Sequence, residues 1–252
     1  MYKRLNLIIL VQFALLLNGC AQATDRTLSP PSNTEWVNIK IKNPSSYTKP
    51  FPLEVLYVST TCKRELMSMR DGQHYEKVGY NPVKIPLQKQ SDSDIWVAKI
   101  AKDGGGKCNW QLSEFNLGIE YIDATHLGKG LVPGTAVGAT IAFDDNATKN
   151  GMFKTVHGDI NLSPIYYPYI RERKLNSTET SLSLLGEENF LSLKADGTNN
   201  VSFIPRLDES KVTRYIGVAK KEPGSYAKII YPDGSVAPEG TIIPDFNKIN
   251  AK

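Results

Sequence analysis

The chain has 252 residues, with 30 lysines and arginines against 26 aspartates and glutamates. A formal charge of +4 spread along that length excludes the face of clustered basic residues that nucleic-acid binding needs. The one basic concentration, Arg171-Glu172-Arg173-Lys174, is short, contains an acid and reads as a solvated loop.

In chain order, the N-terminus carries the strongest signal. Lys3 and Arg4 precede an almost wholly apolar run, Leu5 to Leu17, interrupted only by Asn6 and Gln12. A basic region and then about a dozen apolar residues is the layout of a secretory signal, too short to span a hydrocarbon core of about 30 Å comfortably. The run ends in Leu17-Asn18-Gly19-Cys20, which resembles the lipobox of bacterial lipoproteins, with leucine three before the cut and glycine just before it. The resemblance implies cleavage before Cys20 and lipidation of its sulfur, with acyl chains enough for stable anchoring. An ordinary signal peptide or an uncut anchor helix is the alternative. Ala21, where aspartate would retain the protein at the inner membrane, resembles the enterobacterial pattern for the outer membrane. The expected location is therefore an outer-membrane surface facing the periplasm. Residues 1–19 are then the signal peptide, leaving 233 residues with 28 basic and 26 acidic side chains. That is enough for one large all-β domain or two small ones.

Residues 20–35 follow as a small, polar, proline-bearing tether. Beyond it, strand follows strand. Trp36 to Lys42 alternates, with Val37, Ile39 and Ile41 on one face, and Leu53 to Val58 is apolar on both faces, as a central strand is. Asp94 to Ile100 and Trp110 to Tyr121 are further strands. In the second, Trp110 and Leu112 share one phase while Phe115, Leu117, Ile119 and Tyr121 share the other, which predicts a bulge near Ser113-Glu114. Lys63 to Arg70, ended by Asp71-Gly72, is the best short helix. Ala136 to Phe143 and Phe153 to Leu162 continue the series. Phe190 to Lys194 and Val201 to Ile204 read as a hairpin closed by residues 195–200. Arg214 to Val218, Tyr226 to Tyr231 and Gly240 to Ile243 complete it, with Pro232-Asp233-Gly234-Ser235 as a turn. Strands at roughly ten-residue spacing predict an all-β, antiparallel β-sandwich. One domain over 36–165 carries the disulfide described next; residues 166–252 are a second β-rich subdomain or an extension of the same sandwich.

With Cys20 lipidated, two cysteines remain, and an even count in an exported domain predicts a Cys62–Cys108 disulfide. A metal site is the rival, but the cysteines lack CxxC spacing and His74, His126 and His157 are scattered. Asp103-Gly104-Gly105-Gly106-Lys107 lacks the spacing of a phosphate loop and reads as a turn into the Trp110 strand. No G-x-S-x-G elbow exists. Asp144-Asp145-Asn146 offers oxygen ligands but not the rest of a calcium loop, so a polar loop is the plainer reading. The expectation is a protein that is not an enzyme and holds no cofactor or metal. Tyr166, Tyr167 and Tyr169, with Arg171 and Arg173 beside them, are the candidate partner contacts, because tyrosine buries large area at small rotamer cost. Packing of those rings against the sandwich fits equally well. Asp144 and Asp145 are further candidate contacts.

Several segments together resemble a known group. They are Ser59-Thr60-Thr61-Cys62, Ile85 to Gln90, Trp96 to Ile100, Asp103 to Ser113, Phe143 to Asn146 and Tyr167 to Ile170. Over residues 50–170 they are similar to enterobacterial lipoproteins associated with immunity genes beside lipase effectors of type VI secretion. The resemblance implies a periplasmic, membrane-anchored immunity protein whose partner is a cognate secreted phospholipase effector. Its shared motifs frame strands and bring no active-site pattern. A structural or assembly lipoprotein of a cell-envelope complex is the second expectation, and an enzyme acting on envelope polymers the third.

Overall fold

The computed structural model describes residues 24–148, 151–175 and 178–250. The leader and Cys20 lie outside the described residues. Strand accounts for 51% and helix for 4%, so the all-β reading holds.

The strands run β1 (Trp36–Lys42), β2 (Thr48–Pro50), β3 (Leu53–Met67), β4 (His74–Ile85), β5 (Gln88–Lys89) and β6 (Ile95–Ala101). Next come β7 (Asp103–Gly105), β8 (Trp110–Tyr121), β9 (Val132–Pro133), β10 (Val137–Ala142), β11 (Lys154–His157) and β12 (Ile160–Leu162). Then follow β13 (Ile165–Arg173), β14 (Glu179–Leu185), β15 (Phe190–Asp196), β16 (Asn200–Phe203), β17 (Arg206–Leu207), β18 (Thr213–Ile216) and β19 (Lys228–Ile230). A single turn of helix, α1 (Phe246–Asn250), closes the described chain.

Three sheets result. The large one has the order β11-β15-β10-β8-β3-β4, with β2 and β7 also paired to β8; the small one is β12-β16-β1-β6-β5. The inward residues of β1, Val37, Ile39 and Ile41, share one buried cluster with Val55, Phe115, Leu117 and Ile141 of the large sheet. Tyr57 on β3 donates its hydroxyl to the carbonyl of Ala101 on β6 at 2.9 Å, a buried bond from sheet to sheet. The third sheet, β19-β18-β13-β14-β9, packs on this sandwich. Its Tyr166 and Ile170 join the main core, while Tyr167 and Tyr169 face a second cluster with Ile229, Tyr231 and Ile249. Strands from residues 190–203 lie inside the two sheets built by residues 36–165, so one core crosses position 165.

The sheets are mixed rather than purely antiparallel, and two arches explain why. β11 turns through Gly158 into β12, and β15 through Gly197 into β16, each passing from the large sheet to the small one. The arches stack in parallel register, β11 on β15 and β12 on β16. Thr198 Oγ1 donates to the Gly158 carbonyl at 2.6 Å, and the Asp159 carboxylate accepts the Asn200 amide at 2.9 Å. Phe153 to Leu162 is therefore two strands, and Phe190 to Ile204 is an arch, not a hairpin. The local turn chemistry is the same for both; what decides is that β10 and β1 already offer edges in different sheets.

Other expectations change for equally local reasons. Lys63 to Arg70 is strand and turn, because residues 64–67 pair with residues 74–77 in register. Gly240 to Ile243 is a turn, with Thr241 bonding the Pro238 carbonyl and Ile242 and Ile243 exposed. β4 escaped the sequence reading because Gly79 and Pro82 interrupt it; proline is tolerated there because β4 is an edge strand. The bulge at Ser113 is present, where the β3–β8 register shifts between Leu56 and Tyr57. The turn at Gly234 is present as well, with φ of 82°.

The largest departure concerns the tether. Asp25 to Thr34 is docked on the large sheet. Trp110 Nε1 donates to the Asp25 carbonyl at 3.1 Å, Asn81 Nδ2 to the Arg26 carbonyl at 2.9 Å, and the Ser29 amide to the Gly104 carbonyl at 2.8 Å. Leu28 packs against the main core. The glycine run makes room for it: a Cβ on Gly105 would stand 2.2 Å from the Ser29 carbonyl oxygen, and one on Gly106 2.4 Å from that of Thr27. Both glycines have positive φ, 57° and 72°. Gly105→Ala is expected to cost about 1–2 kcal/mol from the left-handed backbone alone and to expel the segment. Limited trypsin digestion should then cut after Arg26 much faster than in the parent; an unchanged rate would show that the segment is not seated there.

Candidate partner-binding surface

The structure disperses the residues singled out from sequence. Tyr166, Tyr167 and Tyr169 are buried within β13, which is a central strand rather than a loop or edge. Tyr166 packs against Phe203 with ring centroids 6.4 Å apart, and its hydroxyl has no partner among the described residues. Tyr167 donates to the Asn250 side chain on α1. Tyr169 meets Tyr215, and the half-buried Arg171 guanidinium lies 5.6 Å from the Tyr215 ring centre. Only Arg173 of this group is exposed. The packing alternative describes these tyrosines, and they are withdrawn as contacts.

Asp144 and Asp145 do not form a contact pair either. Asp144 accepts the Ser113 hydroxyl at 3.0 Å and the Ala147 amide at 2.9 Å, shaping its own loop. Asp145 pairs with Lys194. The disulfide joins Cys62 and Cys108 with Cα atoms 5.2 Å apart, tying β3 to the loop before β8. Among the described residues no three His, Cys, Asp or Glu side chains gather as a metal site. His126 is clamped between a stacked Tyr47 ring, 3.6 Å away, and the Glu209 carboxylate at 2.9 Å, which ties the end of β8 to the loop after β17. His157 pairs with Asp196 in the open.

A different surface gathers chemistry. Because β1 buries Val37, Ile39 and Ile41, its alternate residues Asn38, Lys40 and Lys42 must point outward. Register with β6 sets Lys99 opposite Asn38 and Val97 opposite Lys40. Register with β16 sets Asn200 and Ser202 on the other side. The 85–90 segment walls one flank, leaving a groove of about 860 Å³ over the small sheet. Lys40, Lys99, Gln88, Asn38, Asn200 and Ser202 line it, and no carboxylate among the described residues does. Among the described residues neither lysine has an ion-pair partner.

Side-chain hydrogen bonds tie the floor of this groove together. Asn38 donates to the Asn200 side chain at 3.1 Å, and Asn200 in turn to Asp159 at 2.8 Å. The side-chain and backbone bonds from Asn200 hold Asp159 below the usual carboxylate range and tie down the arch that carries β16. Two ammonium groups, amides and a hydroxyl on a fixed sheet face suit an acidic protein surface or another carboxylate-bearing partner. The alternation in Trp36 to Lys42 contained this signal; the pairing with β16, about 160 residues away, did not show locally. Comparison with family models, curated proteins and solved structures finds no match to this chain.

One carboxyl elsewhere sits in an unfavourable setting. Burial, and then the Asp144 charge, push Glu114 above its ordinary value of 4.5. A raised folded-state value means the stability Glu114 contributes is full below 4.5 and is lost as pH rises through the folded value. Glu114→Gln removes that loss. It should therefore raise the melting temperature at neutral pH, with the gain vanishing below pH 4.5. A gain that persists unchanged in acid would contradict the assignment.

Proposed function

We propose that the protein is a lipid-anchored binder that neutralises a secreted phospholipase, as the immunity partner of a type VI secretion effector. Cys20 carries the lipid, and the folded part faces the periplasm from the outer membrane. The lipobox resemblance and the similarity over residues 50–170 support this reading, and the acid-free lysine groove on the small sheet is the observation that carries it. Neutralisation by occupancy requires no chemistry from the binder. A standard interface of about 1,600 Å² with a few well-placed anchors is enough to cover an active site or hold its lid shut. Unpaired lysines on a rigid face also speed encounter with an acidic partner.

On this reading Lys40→Glu with Lys99→Glu leaves folding intact, because both side chains are exposed, and reverses the charge of the groove. Cells carrying the double variant should be lysed by sister cells that deliver the effector, as a deletion strain is. Purified double variant should lose most of its affinity for the lipase, chiefly through a slower on-rate that is sensitive to salt. Full protection by a folded double variant would remove the groove from the account. Survival of the deletion strain, or recovery of envelope-machine components instead of a lipase in a pull-down, would replace immunity with the assembly role.

A further inference from the structure

β3 and β4 run on past the sandwich as a free two-stranded ribbon. β8 pairs with β3 only as far as Val58, whereas the β3–β4 pairing resumes at Arg64–Lys77 and continues to Met67–His74. An isolated hairpin is marginal in water, and this one is braced at its base. The Cys62–Cys108 bridge closes beside the register break, and Ser59 Oγ accepts the Thr61 and Cys62 amides at 3.1 and 2.8 Å. Arg64 stacks 3.9 Å over the Tyr80 ring. A Cβ on Gly79 would stand 1.9 Å from the Cys62 carbonyl oxygen, so the close approach needs glycine.

The polar turn at the tip of this braced ribbon, residues 67–74, holds two methionines out in solvent. Met69 is 97% exposed and Met67 57%, and Tyr75 is exposed on the facing strand. Arg70 and Lys77 flank them, with Lys107 at the base, and none of the three has an ion-pair partner among the described residues. Lys63 is paired with Glu76 at 2.7 Å. Lys77 lies 5.4 Å from the Tyr75 ring centre, and Asp71 shares the turn with Arg70. Exposed methionines with lysine and arginine beside them suit the boundary between headgroup phosphates and acyl chains.

The docked N-terminal segment says where such a boundary lies. From Ser29 back to Thr24 the chain passes Gly104, Asn81 and Trp110 and arrives in a surface hollow lined by Cys62, Lys63, Glu76 and Lys107. Four peptide steps separate Thr24 from Cys20, a reach of at most about 14 Å at roughly 3.5 Å per residue. The ribbon from Lys63 to Ser68 is about 17 Å long at roughly 3.4 Å per residue. A lipid on Cys20 would therefore be held within a distance of Thr24 comparable to the length of the ribbon that starts beside it.

We infer that the β3–β4 ribbon is a foot resting on the lipid bilayer, with Met67 and Met69 in the acyl boundary and Arg70, Lys77 and Lys107 on phosphates. This rests on the reading that Cys20 is lipidated. The anchor supplies the local concentration, so the foot needs little affinity of its own. It sets the tilt of the domain and keeps the sandwich at a fixed height above the membrane.

The test uses the full-length Met69→Trp protein, purified from membranes, its N-terminal peptide weighed, and reconstituted in vesicles of phosphatidylethanolamine with a minority of phosphatidylglycerol. The new indole is expected to emit further to the blue than in detergent-free buffer. Dibrominated acyl chains should quench most of its emission, against the parent protein with its native tryptophans as reference. An acylated cysteine with an unquenched indole overturns the foot alone. The same result with an indole that responds instead to added lipase makes the ribbon a protein contact, and also overturns it. An unmodified cysteine overturns the anchoring and the foot together.

Discussion

The seating of residues 25–34 in the glycine run at 104–106 is the constraint on which the rest depends. Three backbone carbonyls and amides of this segment are claimed by Trp110, Asn81 and Gly104, and Leu28 contributes to the core. A polar stretch rich in proline and serine would by composition stay mobile. Here it has no freedom to do so, because Gly105 and Gly106 expose a groove of bare backbone that only an extended chain can fill. The domain thus begins about ten residues earlier than its first strand.

That rigidity extends inward through a woven core. The chain passes between the large and small sheets at stacked arches, and strands distant in sequence complete each sheet in parallel register. Pulling any arch out would uncover Val201, Phe203 and Leu193 together. The third sheet then covers one side, and the C-terminal segment with α1 covers the outer tyrosines of β13 in turn. Among the described residues, the small sheet's outward face receives no such cover. It keeps a groove with two exposed lysines, Lys40 and Lys99, and no carboxylate among the described residues that line it.

Much of the architecture was legible because it is written in alternation. Val37, Ile39 and Ile41 announced both a buried face and, by default, an outward Asn38 and Lys40. The phase slip between Leu112 and Phe115 announced the bulge at Ser113. What was not legible depends on pairings that no local window contains. Gly158 and Gly197 look like hairpin turns until the two sheets exist to be joined. Tyr166, Tyr167 and Tyr169 look like a sticky edge until β14 and β18 flank them. The Lys63 to Arg70 stretch has helix-forming residues, but in-register pairing with β4 outweighs a propensity worth only tenths of a kcal/mol per residue. The glycine run spells a turn in the sequence, and a turn it is. That it also seats another segment shows only when the distant residues Thr27 and Ser29 are brought against it.

The most direct measurement is amide hydrogen exchange of the folded, full-length protein at the Ser29 amide and the Trp110 indole. Both protons are predicted to exchange only when the whole sandwich opens, at the same slow rate as core amides of β8. Exchange of Ser29 at the rate of an unstructured peptide, with β8 still protected, would contradict the docking. It would return residues 25–34 to a loose tether and leave the orientation of the domain unspecified.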